Sequence, residues 1–192
     1  MSFIEVMEVV TLVTGLIYLF LEIVQSPWMW GVGIATGVPA VIAFAMQSTW
    51  ASMSLNVYYV LISVLGLINW RRAKQKVSES NYALCHLRKS VLLWSALAVL
   101  VGTPLLVLVL NYFGGQETIL DALVLVLSAV ATWWLAKLYL AQWLLWLVAD
   151  SISTALCLNL GMYWLSALYA TYAAWTLYGW YLWKKKGVYI DD

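Results

Sequence analysis

The chain has 192 residues, of which 65% are hydrophobic and only 10% are charged, and its formal net charge is +1. A soluble domain carries about a quarter charged residues, so this composition excludes a soluble globular fold and predicts a polytopic membrane protein. The apolar runs are long enough for membrane-crossing helices and do not alternate with polar residues, which favours an all-α protein over a membrane β-barrel.

Seven apolar runs predict seven transmembrane helices. Short polar stretches separate most of them, and one long loop, RRAKQKVSESNYALCHLRK (71–89), divides the third from the fourth. The predicted spans are roughly 4–21, 28–46, 52–70, 91–112, 120–138, 142–160 and 164–183.

The basic residues predict the orientation of these spans. With seven spans, all ten Lys and Arg residues lie on one side, whereas six spans would divide them between both sides. The positive-inside rule makes that side cytoplasmic, so the N-terminus is expected outside and the C-terminus inside. The basic residues are Arg71, Arg72, Lys74, Lys76, Arg88, Lys89, Lys137, Lys184, Lys185 and Lys186, and the opposite side holds Glu5, Glu8, Glu117 and Asp121.

An internal repeat appears when the sequence is shifted by 113 positions. The segment LNVYYVLISVLGLINWRR (55–72) then aligns with LYATYAAWTLYGWYLWKK (168–185), and Trp30 falls on Trp143. Spans one to three would correspond to spans five to seven, and the fourth span would restore the same orientation in the membrane. The alternative is chance coincidence in a tryptophan-rich chain. The expected units are residues 1–70, a basic loop 71–90, a linker helix 91–112, a second repeat 113–186 and a tail 187–192.

The sixth span carries a carboxylate in an apolar setting. Trp143, Trp146 and Asp150 are spaced to lie on one helical face. An isolated charge near the middle of a membrane costs about 3 kcal/mol or more, so Asp150 is expected to face protein or a water-filled cavity. No Lys, Arg or His lies deep in any span, so a cationic substrate could supply its partner. The two indoles would form a slot for a flat cation; a hydrogen-bonded structural aspartate is the alternative.

Spans three and seven carry matching stripes of polar and aromatic residues. Their basic-side tryptophans, Trp70 and Trp183, are expected to anchor the helices at the membrane interface. The deeper members are candidates for substrate binding, although packing between helices is an equally reasonable role for them. These candidates are Asn56, Tyr59, Tyr169 and Tyr172.

The motifs resemble those of the PnuC-type vitamin transporter family, whose best-known members carry nicotinamide riboside. The family segment W-x-x-W-x-x-x-N-x-x-S, followed by G-x-Y, appears as WLLWLVADSIS (143–153) and LGMY (160–163). The aromatic ending of the third and last spans appears as GLINW (66–70) and GWYLW (179–183), and the acid after the first span as LE (21–22).

The resemblance implies a SWEET-like fold of 3+1+3 parallel repeats in the bacterial cytoplasmic membrane. It also implies facilitated diffusion of a vitamin, with a cytoplasmic kinase that traps the imported substrate. Neither a cofactor nor a nucleic-acid partner is expected, and the chain is compatible with a homo-oligomer. Asp150 replaces the family's Asn, and Asn56 stands where the family has Gln. A carboxylate suits the thiazolium cation or the aminopyrimidine of thiamine, so thiamine is favoured over nicotinamide riboside.

Three other classes compete with a transporter. A retinal photoreceptor needs a lysine deep in the last span, which has none before Lys184. A membrane enzyme needs a second catalytic group, yet the single histidine, His86, is in the long loop and no metal-ligand spacing is present, so no catalytic residue or metal site is expected. The third class is a structural membrane subunit that binds no ligand, and only a binding measurement would distinguish it from a transporter.

Overall fold

The structure, a computed structural model, describes residues 15–46, 50–112 and 119–190. The beginning of the first predicted span and the predicted turns around 47–49 and 113–118 lie outside the described residues. So do three of the acidic residues expected on the outer side, Glu5, Glu8 and Glu117.

Helices occupy every predicted span within the described ranges. Two of them, α3 and α7, continue past their predicted ends into the basic residues, because cations interact favourably with the carbonyl end of a helix. The helices are α1 (15–23), α2 (Trp28–Met46), α3 (Trp50–Lys74), α4 (Lys89–Tyr112), α5 (Ile119–Ala136), α6 (Gln142–Asn159) and α7 (Tyr163–Lys186).

The described helices differ in how apolar they are. By length and composition, three described segments are apolar enough to cross a membrane: Met53–Lys74, Lys89–Val109 and Ile119–Ala136. Helices α6 and α7 are less apolar, since α6 carries polar residues such as Asp150 and Ser153 and α7 is rich in tyrosine and tryptophan. Polar residues on the inward faces of membrane helices are what a substrate pathway requires.

The described helices form two closely packed pairs. Helix α2 packs on α3, α6 packs on α7, and α5 contacts both α3 and α6. Helix α4 lies at the side of the bundle, where it packs on α5 and Ser95 Oγ accepts a hydrogen bond from Trp134 Nε1 at 2.9 Å. Large apolar side chains such as Leu93 and Leu100 remain exposed on α4, as expected for a surface covered by lipid.

Two short strands depart from the all-α prediction. Strand β1 (Tyr82–Leu84), in the long loop, pairs in parallel with β2 (Gly187–Tyr189), which directly follows α7. Gly187 is required at this join, because a Cβ there would overlap the carbonyl oxygen of Trp183. Three-residue strands leave no readable pattern in a sequence, since tertiary contacts rather than local propensity stabilise them.

Strand β1 and the residue that follows it are hydrogen-bonded to the turns between other helices. The side-chain amide of Gln25, in the α1–α2 turn, donates to the carbonyl of Ala83 and accepts from its N–H, both at 2.8 Å. The N–H of Cys85 donates to the carbonyl of Leu138 in the α5–α6 turn. The long loop, the end of α7 and these two turns therefore meet at one end of the bundle, as the distribution of basic residues predicts.

The two turns have the same backbone structure, 113 residues apart. Gln25 and Leu138 are the non-glycine residues with positive φ among those described, at +50° and +61°. Three backbone hydrogen bonds of the first turn recur in the second. In the first turn the N–H groups of Val24, Gln25 and Ser26 donate to the carbonyls of Phe20, Glu22 and Leu21, respectively. In the second turn the N–H groups of Lys137, Leu138 and Tyr139 donate to the carbonyls of Trp133, Leu135 and Trp134. A side chain rarely adopts positive φ unless tertiary contacts hold it there, so both turns are specific features of the fold.

Candidate functional site

Four buried tryptophans form the tryptophan cluster (Trp30, Trp70, Trp143 and Trp183) at the same end of the bundle. Trp30 meets Trp70 edge to face, with centroids 5.4 Å apart and planes at 87°. Trp143 meets Trp183 in the same way, at 5.3 Å and 88°. Trp70 and Trp183 join the two pairs at 5.9 Å. Edge-to-face contacts align the positive ring edge with the negative ring face, which stabilises such a cluster.

Two glycines accommodate the cluster. Trp30 lies against Gly66 of α3, and Trp143 lies against Gly179 of α7, so closely that a Cβ at either glycine would overlap the indole. These contacts are 113 residues apart, like the turns that precede them. The alignment of Trp30 with Trp143 and Gly66 with Gly179 therefore corresponds to equivalent side-chain packing.

Trp70 and Trp183 differ from the interfacial anchors expected from the sequence. They are 2% and 0% exposed, and their Nε1 groups donate to the carbonyls of Leu135 and Ile23, at 3.0 and 2.9 Å. The anchor expectation was wrong because the two indoles contact each other and lie in the core of the bundle. Each indole binds the end of a helix from the opposite half of the chain.

Asp150 is buried beside the predicted tyrosines. It is 7% exposed, and it interacts electrostatically with Tyr169 and Tyr172 of α7. The rings of Tyr169 and Tyr172 pack edge to face with centroids 6.3 Å apart, and the Tyr172 hydroxyl reaches Gly15 of α1. Three of the predicted binding residues are therefore brought together between α1, α6 and α7.

A second buried carboxyl, Glu22 of α1, lies near Asp150 and completes the polar centre. Glu22 is 4% exposed and interacts electrostatically with Asp150. The Gln142 amide, 0% exposed, interacts with the Glu22 carboxyl. Oε1 of Glu22 and both polar side-chain atoms of Gln142 lack a partner. Unsatisfied buried polar atoms are rare in folded proteins and often mark a site where a ligand binds.

Tyr59 approaches this polar centre from α3. It interacts electrostatically with Tyr18 of α1, which in turn interacts with Glu22. The neighbouring Tyr58 points elsewhere, since its hydroxyl donates to the Ala129 carbonyl of α5 at 2.6 Å. Asn56 is half-buried one turn before Tyr59 on the same helix.

The two predicted stacking residues occupy different environments. Trp143 is fully covered within the tryptophan cluster, whereas Trp146 is half-buried one turn closer to Asp150. The Nε1 groups of Trp143, Trp146 and Trp30 are buried without a hydrogen-bond partner. These three indole donors, Oε1 of Glu22 and the Gln142 amide give the interior of the bundle an excess of unused hydrogen-bonding groups.

Sequence reasoning recognised Asp150 as a site residue but not Glu22, Gln142 or Tyr18. Glu22 carries the same signal as Asp150, a carboxylate in an apolar run with no basic residue before Arg71. Gln142 begins α6, and its position in a predicted tight turn concealed it. Tyr18 has no distinguishing pattern in the sequence. Within the part of the chain that the structure describes, no group of three His, Cys, Asp or Glu side chains could hold a metal ion, and Cys85 and Cys157 form no disulfide.

Comparison with known proteins identifies the family of this chain. Residues 5–185 match the model of the nicotinamide mononucleotide transporter family. The chain belongs to that family. Its members are transporters rather than enzymes, and the apolar helices described above are those of a multi-pass membrane protein.

Two relatives agree with this assignment. The nicotinamide riboside transporter PnuC of Haemophilus influenzae is 30% identical over 129 residues, which cover 66% of this chain and 56% of that protein. The chain thus aligns with little more than half the length of this curated relative. The crystal structure of a vitamin B3 transporter PnuC has the same fold, with a TM-score of 0.53 and 22% identity over 93% of this chain and 91% of that one.

Proposed function

We propose that this protein carries a flat organic cation across the membrane, and that nicotinamide riboside, a pyridinium nucleoside, is the favoured substrate. The observation that carries this proposal is the pair of buried carboxyls, Glu22 and Asp150. The stretches of chain that contain them, residues 15–70 and 138–183, have no Lys, Arg or His. A buried acidic centre without a cationic side chain suits a cationic ligand, whose single charge would offset the carboxylate of Asp150. The names of the relatives support the riboside over thiamine, which reverses the order that the sequence favoured.

The same charge distribution argues for a nucleoside rather than a nucleotide, although the family is named for nicotinamide mononucleotide. A phosphate needs Arg, Lys or an open helix N-terminus. The basic residues of this chain lie at the ends of its helices or in its loops, away from Asp150. A phosphorylated substrate would meet two carboxyls without a compensating cation, and its binding would be strongly disfavoured.

Thiamine is the second candidate because of one observation. Asp150 stands where the family motif has Asn, and an acid can accept hydrogen bonds from an aminopyrimidine as well as offset a thiazolium charge. Both substrates would use the same proposed residues. Asp150 offsets the charge, Trp143 and Trp146 provide the aromatic surfaces, and Asn56, Tyr59, Tyr169 and Tyr172 bind the polar edges.

We further propose a transport cycle based on 3+1+3 parallel repeats of the SWEET-like type. The recurring turns at Gln25 and Leu138 and the two equivalent tryptophan–glycine contacts support this repeat. Residues 1–70 and 113–186 would be the two units, joined by the basic loop 71–90 and the peripheral helix at 91–112, and followed by the tail 187–192. Rocking of the units would expose a central site alternately to each side.

Transport would be facilitated diffusion in a bacterial cytoplasmic membrane. The basic end, where β1 and β2 meet, would face the cytoplasm according to the positive-inside rule. Accumulation would then require a cytoplasmic kinase that phosphorylates the imported vitamin, since the proposed cycle contains no coupling ion. A homo-oligomer is compatible with this cycle, and one protomer carries all the proposed binding residues.

Uptake into proteoliposomes tests these proposals. We expect radiolabelled nicotinamide riboside to enter until its concentrations inside and outside are equal, and to exchange with unlabelled riboside. Uptake of thiamine alone would favour the second candidate, and uptake of the mononucleotide would contradict the argument from charge. If none of the three enters or raises the melting temperature, the protein is a structural subunit and not a carrier.

A further inference from the structure

The buried contact between α1 and α6 contains three polar atoms that the fold leaves unused. They are Oε1 of Glu22 and Oε1 and Nε2 of Gln142, on side chains that are 4% and 0% exposed. Each such atom lowers the stability of the fold when it is buried without a partner. A protein that needed these side chains only for packing would be more stable with an apolar pair at the same positions.

Glu22 and Gln142 interact with each other, but these three atoms have no hydrogen-bond partner of good geometry. The nearby Gln25 amide uses both of its polar atoms on the Ala83 backbone. Tyr18 and Asp150 interact with Glu22 only electrostatically among the contacts described. The nearest basic residue in the sequence, Lys137, follows the end of α5 and is exposed.

The arrangement has a definite chemical complement. Two oxygens accept hydrogen bonds and one amide nitrogen donates one, so the ligand edge must carry N–H donors beside an acceptor. A primary carboxamide has this pattern, and so does the amino group beside a ring nitrogen in an aminopyrimidine. A carboxylate does not, because it has no donor and would be repelled by the Glu22 carboxyl.

We propose that Glu22 and Gln142 form a subsite that binds the donor–acceptor edge of the substrate, either a carboxamide or an aminopyrimidine, and excludes the corresponding carboxylate. The inference rests on the proposed function, since it assumes a cationic ring at Asp150. Asp150 offsets the positive charge of the substrate ring, whereas the Glu22–Gln142 subsite recognises the substituent on that ring through hydrogen bonds. The two carboxyls thus serve different parts of one ligand.

Binding measurements with paired analogues test this subsite. Titrations followed by tryptophan fluorescence would compare nicotinamide riboside with nicotinic acid riboside, and thiamine with oxythiamine, which lacks the 4′-amino group. We expect the unmodified protein to prefer the amide or amine member of the pair it recognises by at least about 100-fold, because a site built for hydrogen bonds rejects analogues that lack them.

Two variants isolate the contribution of each side chain. Gln142→Leu should weaken binding of the preferred ligand about 10- to 100-fold, and Glu22→Gln should narrow the preference over the carboxylate or oxo analogue by a similar factor. Gln75→Leu, in the exposed part of the long loop, should change neither value. Melting temperatures of both variants, measured without ligand, would exclude loss of fold as the cause.

The outcomes distinguish this inference from the proposed function. If the unmodified protein binds the riboside or thiamine but Gln142→Leu and Glu22→Gln keep the same affinity and preference, the subsite is wrong and the carrier proposal stands. If the unmodified protein binds none of the four compounds, the proposed function fails, and the subsite fails with it.

Discussion

Asp150 illustrates, at the scale of one residue, how a buried charge reports on function. Its carboxyl is buried and interacts electrostatically with two tyrosines and a second carboxyl, so its burial lowers the stability of the empty protein. Such a group persists where a ligand offsets it. Asp150→Asn keeps the shape and removes the charge, which makes it the most informative single substitution for the charge of the ligand.

We expect Asp150→Asn to weaken cation binding by about 1.5–3 kcal/mol, or roughly 10- to 150-fold in Kd, because a charge-assisted interaction is lost. The melting temperature of the empty protein should not fall, since a buried charge has been removed. Trp70→Phe is the contrasting variant. It loses the hydrogen bond to Leu135 in the core, so it should lower the melting temperature more and the affinity less. Equal losses of affinity in both variants would contradict the assignment of Asp150 to the site.

At the scale of the element, close packing of α2 on α3 and of α6 on α7 depends on two glycines, Gly66 and Gly179. We expect Gly66→Ala and Gly179→Ala each to lower the melting temperature, by a destabilisation of about 1–3 kcal/mol, because the added methyl group overlaps an indole of the tryptophan cluster. Gly102→Ala is the matched control. Its Cβ would meet only Val126 at ordinary contact distance, so it should be neutral or slightly stabilising. A similar fall in all three variants would mean that helix backbone effects, and not the indoles, determine the result.

The short strand β1 is the second element with a specific prediction. Gln25→Ala removes both hydrogen bonds to Ala83 and leaves its buried backbone groups without partners. We expect faster tryptic cleavage within the basic loop 71–89, as the strand separates more often from the bundle. Gln75→Ala, in the exposed part of the same loop, should leave the cleavage rate unchanged. Unchanged cleavage of the Gln25 variant would show that β2 alone holds the loop.

At the scale of the whole molecule, the arrangement of the ends can be measured in cells. In a background where Cys85 and Cys157 are serine, we expect a membrane-impermeant maleimide to label Asn159→Cys in intact cells. Ser78→Cys should be labelled only after the cells are opened, because the basic loop is expected in the cytoplasm. The reverse pattern would contradict the proposed orientation, and uptake of substrate provides the control that both variants remain folded.

The agreement between sequence and structure is uneven, and particular residues show why. The seven helices, the common end of the basic segments and the burial of Asp150 were predictable, because apolar run length, charge placement and the cost of a buried carboxylate follow from composition along the chain. The strands β1 and β2, the burial of Trp70 and Trp183 and the role of Gln25 were not predictable. Each depends on a contact between segments far apart in the sequence.

The amino-acid sequence by itself determined that this is a helical membrane protein, with a carboxylate at position 150 and equivalent residues 113 positions apart. Those properties follow from hydrophobicity, charge and spacing, which are local. Only the tertiary structure brought Glu22 of α1 to Gln142 and Asp150 of α6 and left polar atoms of Glu22 and Gln142 without partners. The reason is physical: packing of α1 against α6 decides which buried groups meet, and no pattern within either helix records its neighbour.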